Sequence, residues 1–365
     1  PNTSRYGMNL SGKIDVRTSQ NTTLTFGGQY NYADGNSYNF RHTMFNYDRN
    51  LLNMNNTWRV FGRFTQRFPS SSESSALIKN VYYSLQVDYS EVNARNMDPH
   101  HKDDLFKYGY LGKYTTYKRP TYELGEVEID GVNYENVYLL NSWDSDTAYV
   151  FDPRSYNPYT ANYTSMIYEL FPDKGNLNAP FGNWRSADDL TLRGGLLNGQ
   201  QADFFYGLWA PPGAIQTRYG ENKTNLISLN ASAAADVGNH ELKFGFLYEQ
   251  RTERGISYNA TNLWSRMRLV TNNQIIELDL DNPMPVYSED GLFQDTVNYY
   301  RNYAEQLQFR FDKSLRNKLG LDEKGLDFIL VDSYDIDNNT INYYDKDGVM
   351  HTANVDGDLY SVDMF

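Results

Sequence analysis

The sequence contains no cysteine, which excludes disulfide bridges, cysteine-ligated metal sites and a catalytic thiol. No run of about 18 apolar residues occurs either, so a helical membrane span is excluded. A transmembrane β-barrel passes this test, because its apolar residues alternate with polar ones. Basic residues are scarce, and the net charge of −13 removes the usual electrostatic basis for a nucleic-acid partner.

Tyrosine is abundant, with 32 copies, and many of these side chains belong to stretches in which apolar and polar residues alternate. A period of two is typical of a β-strand with two different faces. The residues predicted to face lipid are Tyr6, Met8, Leu10, Ile14, Val16, Leu24, Phe26, Leu85, Val87, Phe244 and Phe246. Those predicted to face a barrel lumen are Lys13, Asp15, Arg59, Arg63, Arg67 and Gln86.

Six strands are predicted in this way, and the connections between them alternate between short and long. Outer-membrane barrels show this asymmetry, with tight turns on one side and long loops on the other. The outward Tyr and Trp residues nearest the long loops form a predicted interfacial girdle of Tyr6, Tyr30, Tyr32, Trp58, Tyr89 and Tyr248. The pattern therefore favours an all-β, antiparallel transmembrane barrel, although a soluble β-sandwich would give the same alternation.

The predicted organisation has four parts. Residues 1–90 hold four barrel strands with one extracellular loop at 33–57, and residues 91–223 form a long extracellular loop. Residues 224–251 form a further barrel hairpin around Gly238-Asn239, and residues 252–365 form a second, truncated loop region. Inside the loops, a hairpin is predicted at Asp130-Gly131 and a helix from Asp312 to Leu319, ended by Gly320.

Aromatic side chains in irregular loops provide the predicted ligand contacts. Two clusters without any period, YNPYTANY and FFYGLWAPPG, suit ligand contact or loop packing. The predicted ligand-binding residues are Trp143, Trp184, Trp209 and Trp264, because an aromatic ring offers a large contact area at little entropic cost. The alternative, that these rings pack against one another inside a folded loop, stays open.

Metal sites are weakly indicated. His100 and His101 adjoin several aspartates, but neighbouring residues in an extended chain point apart, so no metal is predicted there. The weak calcium candidates are Asp335, Asp337 and Asn339. The EF-hand template fails around them, since it requires Gly and Glu at positions that are Thr and Lys here. No cofactor is therefore predicted, with calcium in the extracellular loops left open.

No nucleophile elbow, zinc-binding histidine pair or phosphate-binding glycine loop is present, so the chain is not predicted to be an enzyme. Two rival classes stay open. One is an extracellular carbohydrate-binding or adhesion β-sandwich, and the other is a glycoside hydrolase that uses two acidic residues.

Several stretches resemble the barrel of Oar-like TonB-dependent receptors of the bacterial outer membrane: SRYGMNLSGKIDVRTSQNTTLTFGGQYNY, IKNVYYSLQVDYS, GNHELKFGFLYEQR, FDKSLRNKLGL and DLYSVDMF. The resemblance implies energy-coupled uptake of a ligand through a plugged barrel of roughly 22 strands. It implies a periplasmic TonB complex and outer-membrane lipid as partners, with a surface lipoprotein or a protein ligand as further ones. Protein export or surface assembly is the alternative role within the family. The plug and the TonB box are not recognised in these residues, so we expect a barrel fragment.

Overall fold

The computed structural model describes residues 3–70, 76–170 and 184–365. Strands make up 52% and helices 16%, so the chain is mostly β-sheet, in agreement with the predicted class. Within the described part, no helix has the length and apolarity needed to cross a membrane.

The chain divides into two compact units, each built from two separate segments. The sheet unit comprises Pro1–Asp103 and Ile215–Asn259, and the insert unit comprises Asp104–Ala214 and Ala260–Phe365. The two predicted long loops are therefore not independent, because most of both belongs to a single folded unit.

The sheet unit is one curled antiparallel sheet of six strands, in which neighbours in sequence order are neighbours in space. Its strands are β1 (Arg5–Ser19), β2 (Thr22–Asn36), β3 (Leu52–Phe68), β4 (Ile78–Met97), β7 (Arg218–Val237) and β8 (His240–Asn259). The turn between β7 and β8 lies at Gly238-Asn239, as predicted, and Gly238 adopts a left-handed φ of 60°. Tight turns of this kind fix the register of both flanking strands.

The strands are longer than predicted. β4 continues to Met97 and β7 begins at Arg218, so the first long connection is shorter than residues 91–223. The hydrophobic alternation misses these ends because the face that is apolar elsewhere on these strands is polar there: Asn93 pairs with Lys223, and Arg95 pairs with Glu221. Backbone pairing continues where the side-chain signal stops.

The register gathers most apolar positions of the six strands on one face, with Phe61 and Leu247 as exceptions. One cross-strand row consists of Ile14, Phe26, Gly62, Val87, Leu229 and Tyr248. The apolar face is exposed even on the interior strands, with Phe26 at 55% and Val87 at 50%. On the opposite face Thr25 and Asp88 are each only 6% exposed. The polar face is thus the more covered of the two, which reverses the usual arrangement in a water-soluble protein.

The insert unit mixes strands and short helices. From its first segment come β5 (Gly112–Ile129), β6 (Val132–Pro153), α1 (Pro158–Leu170) and α2 (Ala187–Leu192). From its second come α3 (Asn262–Val270), β9 (Ile275–Leu278), β10 (Met284–Tyr287), β11 (Phe293–Asn298), β12 (Arg301–Tyr303), α4 (Arg310–Leu319), β13 (Phe328–Ile329), β14 (Thr340–Tyr344) and β15 (Met350–Asn354). The strands form three small sheets, ordered β10-β11-β6-β5, β12-β9 and β13-β14-β15.

Local predictions for this unit hold in part. The hairpin turn at Asp130-Gly131 is confirmed, since Ile129 pairs with Val132 across it. The predicted helix is α4, which starts two residues earlier and ends at Gly320 in a left-handed conformation with φ 69°. The predicted loop region at 252–365 also contains the hairpin of β14 and β15, in which apolar and polar residues do not alternate strictly.

The two segments of the insert unit share a core. Tyr110 of the first segment stacks on Trp264 of the second, with ring centroids 5.4 Å apart, and Phe311 and Leu315 of α4 belong to the same buried cluster. Within the first segment, the chain crosses itself closely: the peptide nitrogen of Gly199 donates to the carbonyl of Gly109 at 2.8 Å. A Cβ atom added to Gly109 would lie 2.9 Å from the Gly199 backbone, so this crossing requires glycine.

A buried ion pair fixes α4. The side chains of Asp312 and Arg316 are both fully buried, and the Arg316 Nε donates to Asp312 at 2.8 Å. Asp312 also accepts hydrogen bonds from Gln274 Nε2 and Gln308 Nε2, each at 2.8 Å. A carboxylate satisfied by several donors offsets the cost of burying its charge.

We expect Asp312→Ala to destabilise the insert unit by about 3–5 kcal/mol, because it leaves a buried guanidinium unpaired. The control is Lys313→Ala, which removes a surface pair with Glu323 at 3.6 Å and should cost less than about 1 kcal/mol. Denaturant unfolding of the full chain, followed by tryptophan fluorescence, would measure both effects. Equal losses in the two variants would contradict the role assigned to the pair.

Candidate ligand-binding cleft

The two aromatic clusters singled out in the sequence meet in one cleft of the insert unit. The cleft has a volume of about 1060 Å³. Tyr159 and Tyr163 come from the first cluster, and Phe204, Phe205 and Tyr206 come from the second. Residues about 40 positions apart in the chain thus form one concave surface, the kind of feature at which ligands bind.

The first wall of the cleft is the exposed face of α1. Pro158 begins this helix, a position at which proline loses no hydrogen bond. Tyr159, Tyr163 and Met166 follow at the spacing of one helical face and are 66%, 39% and 58% exposed. The opposite face, with the fully buried Thr164, packs inward.

Another part of the lining comes from the segment after α2, namely from Gly194, Gly195, Leu196, Gln200 and Gln201. The peptide nitrogen of Leu196 donates a hydrogen bond to the Thr164 hydroxyl at 3.2 Å, which ties this segment to α1. A Cβ atom on Gly195 would lie 2.3 Å from the Leu190 side chain, so only glycine fits there. The Gln200 Oε1 accepts a hydrogen bond from the peptide nitrogen of Leu197 at 2.8 Å, which orients that amide.

The second wall carries a strained tyrosine. Tyr206 lies in a tight turn closed by the Leu208 peptide nitrogen, which donates to the Phe205 carbonyl at 2.9 Å. Its φ is 51°, a left-handed conformation that disfavours a bulky side chain by about 1 kcal/mol or more. Its side chain is nevertheless 98% exposed, so no packing contact accounts for the strain. Asparagine or glycine would suit the turn better, and the ring is therefore a candidate for ligand contact.

The cleft is nearly free of charge. Among its described lining residues there is no Lys, Arg or His, and Asp203 is the one carboxylate. Asn162, Gln200 and Gln201 add neutral amides, which can donate and accept hydrogen bonds. The arrangement suits an uncharged polar ligand with apolar faces.

The predicted tryptophans lie elsewhere in the insert unit, and none is among the residues that line the cleft. Trp264 is fully buried and donates through Nε1 to the Phe106 carbonyl at 3.2 Å. Trp184 is 3% exposed and stacks on Tyr168 at 4.8 Å. For these two residues the packing alternative is the one that the structure favours.

The other two tryptophans are partly buried. Trp143 donates through Nε1 to the Tyr299 carbonyl at 2.7 Å. A Cβ atom on Gly348 would lie 2.6 Å from its ring, so the ring packs closely on that turn. Trp209 lies at the base of the turn that presents Tyr206, where its peptide nitrogen donates to the Phe205 carbonyl at 3.2 Å. Trp209 thus supports the cleft wall without lining the cleft.

The residues predicted to face a lumen share the polar face of the sheet unit. Lys13 and Asp15 form an ion pair at 2.9 Å. Arg59 binds Asp88, with Nε at 2.9 Å from the carboxylate. Arg63 donates from Nε to Gln86 at 2.6 Å, and the Arg67 guanidinium lies 5.9 Å from the centre of the Tyr82 ring. The Lys13–Asp15 pair lies within β1, and the other contacts join β3 to β4. These contacts exist without any ligand, and those between β3 and β4 stabilise the sheet.

The weak calcium candidates are held by a protein cation. Arg154 contacts Asp335 at 2.8 Å and Asp337 at 3.2 Å, and Asn339 accepts a hydrogen bond from the Tyr334 hydroxyl at 3.2 Å. The guanidinium supplies the positive charge that a calcium ion would bring. In the described parts of the chain, no group of three or more acidic or histidine side chains could hold a metal ion.

The histidine pair belongs to the sheet unit. His100 contacts Asp48 at 3.1 Å, and the peptide nitrogens of His100 and His101 donate to the Asp98 carboxylate. Asp98 is fully buried and pairs with Arg49 at 2.9 Å. These contacts tie the loop at residues 37–51 to the end of β4.

Arg154 also determines how Asp335 titrates. Burial alone would raise the pKa of Asp335, but hydrogen bonds from Arg154 and Asn338, together with the Arg154 charge, lower it to about 2. An aspartate in an unfolded chain has a pKa of about 3.9. Ionised Asp335 therefore stabilises the fold above about pH 4, and this contribution is lost as the pH falls towards about 2.

We expect Asp335→Asn to lose about 2 kcal/mol of stability at pH 7 and much less at pH 2. The exposed Asp290 provides the control, and Asp290→Asn should keep the pH dependence of the wild type. Denaturant unfolding of the full chain at a series of pH values would measure the difference. A loss for Asp335→Asn that did not change with pH would show that its carboxylate contributes no charge-dependent stability.

No protein-family model, curated protein or solved structure matches this chain. The function proposed below therefore rests on the exposure, register and charge of its own residues.

Proposed function

We propose that this chain forms part of the wall and of the outer, ligand-gathering surface of a TonB-dependent transporter in the bacterial outer membrane. One observation carries the proposal: the apolar face of the sheet unit is exposed across all six strands. In water, a contiguous apolar face of this extent would promote aggregation, whereas lipid solvates it without cost.

The exposed face is a band with two aromatic borders. On β3 it runs from Phe68 to Trp58, about ten residues at roughly 3.3 Å each, which spans about 25 Å at a tilt of about 40°. At one border Trp58 contacts Tyr89, with ring centroids 5.0 Å apart. At the other border Phe68 contacts Tyr83 at 5.9 Å. A bilayer core bounded by amphipathic rings has this height and these borders.

Beyond the Trp58 border the same face becomes polar. Glu91 pairs with Lys223 at 3.0 Å, and Arg95 pairs with Glu221 at 3.1 Å. The strands therefore continue beyond the apolar band with side chains that prefer water. The chain enters the insert unit from this end of β4, which in the proposal places the insert unit on the outer surface.

The opposite face supports a wet interior. Asp88 accepts hydrogen bonds from Arg59 and from the Gln86 Nε2, the latter at 2.7 Å, and Thr25 donates to Asp15 at 2.6 Å. Such a network suits a polar lumen, as in wide outer-membrane barrels. A β-sandwich would bury its apolar face under a second sheet, and the exposure of the apolar side chains argues against that rival.

In this proposal β1 and β8 pair with further strands, because six strands cannot close a barrel and lipid does not tolerate an open sheet edge. The plug, the periplasmic TonB complex and the use of the proton-motive force are what the family resemblance implies. The proposal takes uptake as the direction of transport. Protein export would use the same wall, and the two differ in the ligand that the outer surface meets.

We expect Leu85→Arg to destabilise the chain folded in lipid vesicles by about 2–4 kcal/mol, the cost of a cation near the middle of a bilayer. Asn230→Arg is the matched control, because Asn230 lies on the adjacent strand at the same level but on the polar face. It should change stability by less than about 1 kcal/mol. Equal losses for the two variants in a denaturant titration would contradict a lipid-facing apolar side.

A further inference from the structure

We infer that the aromatic cleft of the insert unit binds uncharged oligosaccharides. The inference deepens the proposed function, since it names the class of ligand that the outer surface would gather. It rests on the rings, the amides and the charge of the cleft.

The rings provide flat apolar surfaces that are partly open to solvent. Phe204 and Phe205 are 44% and 46% exposed, and Tyr206 and Tyr159 are more exposed still. A sugar ring presents an apolar C–H face, which packs on an aromatic ring in the same way as other flat groups. The strain at Tyr206 fits this role, because the turn holds its ring in solvent at the rim of the cleft.

The polar groups of the cleft match hydroxyl groups. The side chains of Asn162, Gln200 and Gln201 each carry one end that donates hydrogen bonds and one that accepts them. A sugar hydroxyl likewise donates and accepts, so one amide can serve it in either direction. The side chain of Gln200 is already oriented by its hydrogen bond with Leu197, which lowers the entropic cost of binding.

The charge of the cleft selects against ionised ligands. The described lining contains no cation that could pair with a phosphate, sulfate or carboxylate group. Asp203 and the net charge of −13 would instead repel an anion. Neutral sugars fit this environment, and acidic polysaccharides do not.

The shape of the cleft favours a chain over a single small molecule. Tyr159 and Met166 are seven residues apart on α1, which corresponds to about 10 Å along the helix. The wall is therefore longer than one sugar ring. A peptide bound by strand addition would need an exposed sheet edge, and the lining comes from helix α1, Thr191 of α2, loops and a turn.

The test uses the purified full chain in detergent and isothermal titration calorimetry. The probes are maltohexaose, cellohexaose, xylohexaose and mannohexaose, with hexagalacturonate and a proline-rich decapeptide as contrasting ligands. At least one neutral hexaose should bind with a Kd of about 1 mM or tighter. Hexagalacturonate and the peptide should not compete with it.

Variants assign the binding to the cleft. Tyr206→Ala and Phe204→Ala should each weaken binding about tenfold, while Tyr206→Phe keeps the ring and should bind nearly as the wild type does. Tyr138→Ala is the matched control, because Tyr138 is an exposed tyrosine of the same unit that lies outside the cleft. Unchanged thermal unfolding would show that each variant folds.

The inference is overturned if no neutral hexaose binds at about 10 mM, if only hexagalacturonate or the peptide binds, or if Tyr206→Ala and Phe204→Ala bind like the wild type. Its failure is distinguishable from failure of the transport proposal. If sugar binds but Leu85→Arg and Asn230→Arg lose equal stability in lipid vesicles, the protein binds carbohydrate and its apolar face does not contact lipid. If no sugar binds but Leu85→Arg loses more stability than Asn230→Arg, the sheet contacts lipid and the ligand belongs to another class.

Discussion

The exposure of the apolar face of the six-stranded sheet is the constraint on which the rest of the structure depends. Cross-strand register brings every apolar row to one side, and hydrogen-bonded polar residues such as Thr25 and Asp88 fill the other. A sheet of this kind is stable only where its apolar side meets lipid or another apolar surface. In the proposed membrane setting, the aromatic rings define the borders of the band, and the ion pairs beyond Tyr89 lie where the strands would meet water.

The insert unit is held together by contacts between its two chain segments. Its two chain segments follow different strands of the sheet unit, the first after β4 and the second after β8. The stack of Tyr110 on Trp264 and the close approach of Gly199 to Thr261 and Trp264 join the two segments into one body. The loops can then present an aromatic cleft on a rigid support, as recognition surfaces require.

Sequence patterns predicted the sheet well and the insert unit only in pieces. Alternation identified the six strands and their faces, because side-chain period and strand geometry coincide. It missed the polar ends of β4 and β7 and the β14–β15 hairpin, whose backbone pairing leaves no hydrophobic signal. Both aromatic clusters of the cleft stand out in the sequence, but their meeting in one cleft could not be predicted, since it depends on contacts between residues that are distant in the chain. For the same reason, tryptophan did not identify the ligand-binding residues. In the sequence, Trp264 and Tyr206 are both aromatic residues of predicted loops, and only the packing of the folded chain shows that the first ring is buried and the second exposed.

The central claim is that alternate residues of β4 face lipid. The chain lacks cysteine, so single cysteines at positions 85, 86 and 87 can each carry a bimane label without background. In vesicles that contain lipids with a quencher on the acyl chain, the account predicts strong quenching at 85 and 87 and weak quenching at 86. Quenching that is equal at the three positions, or absent from all of them, would contradict it.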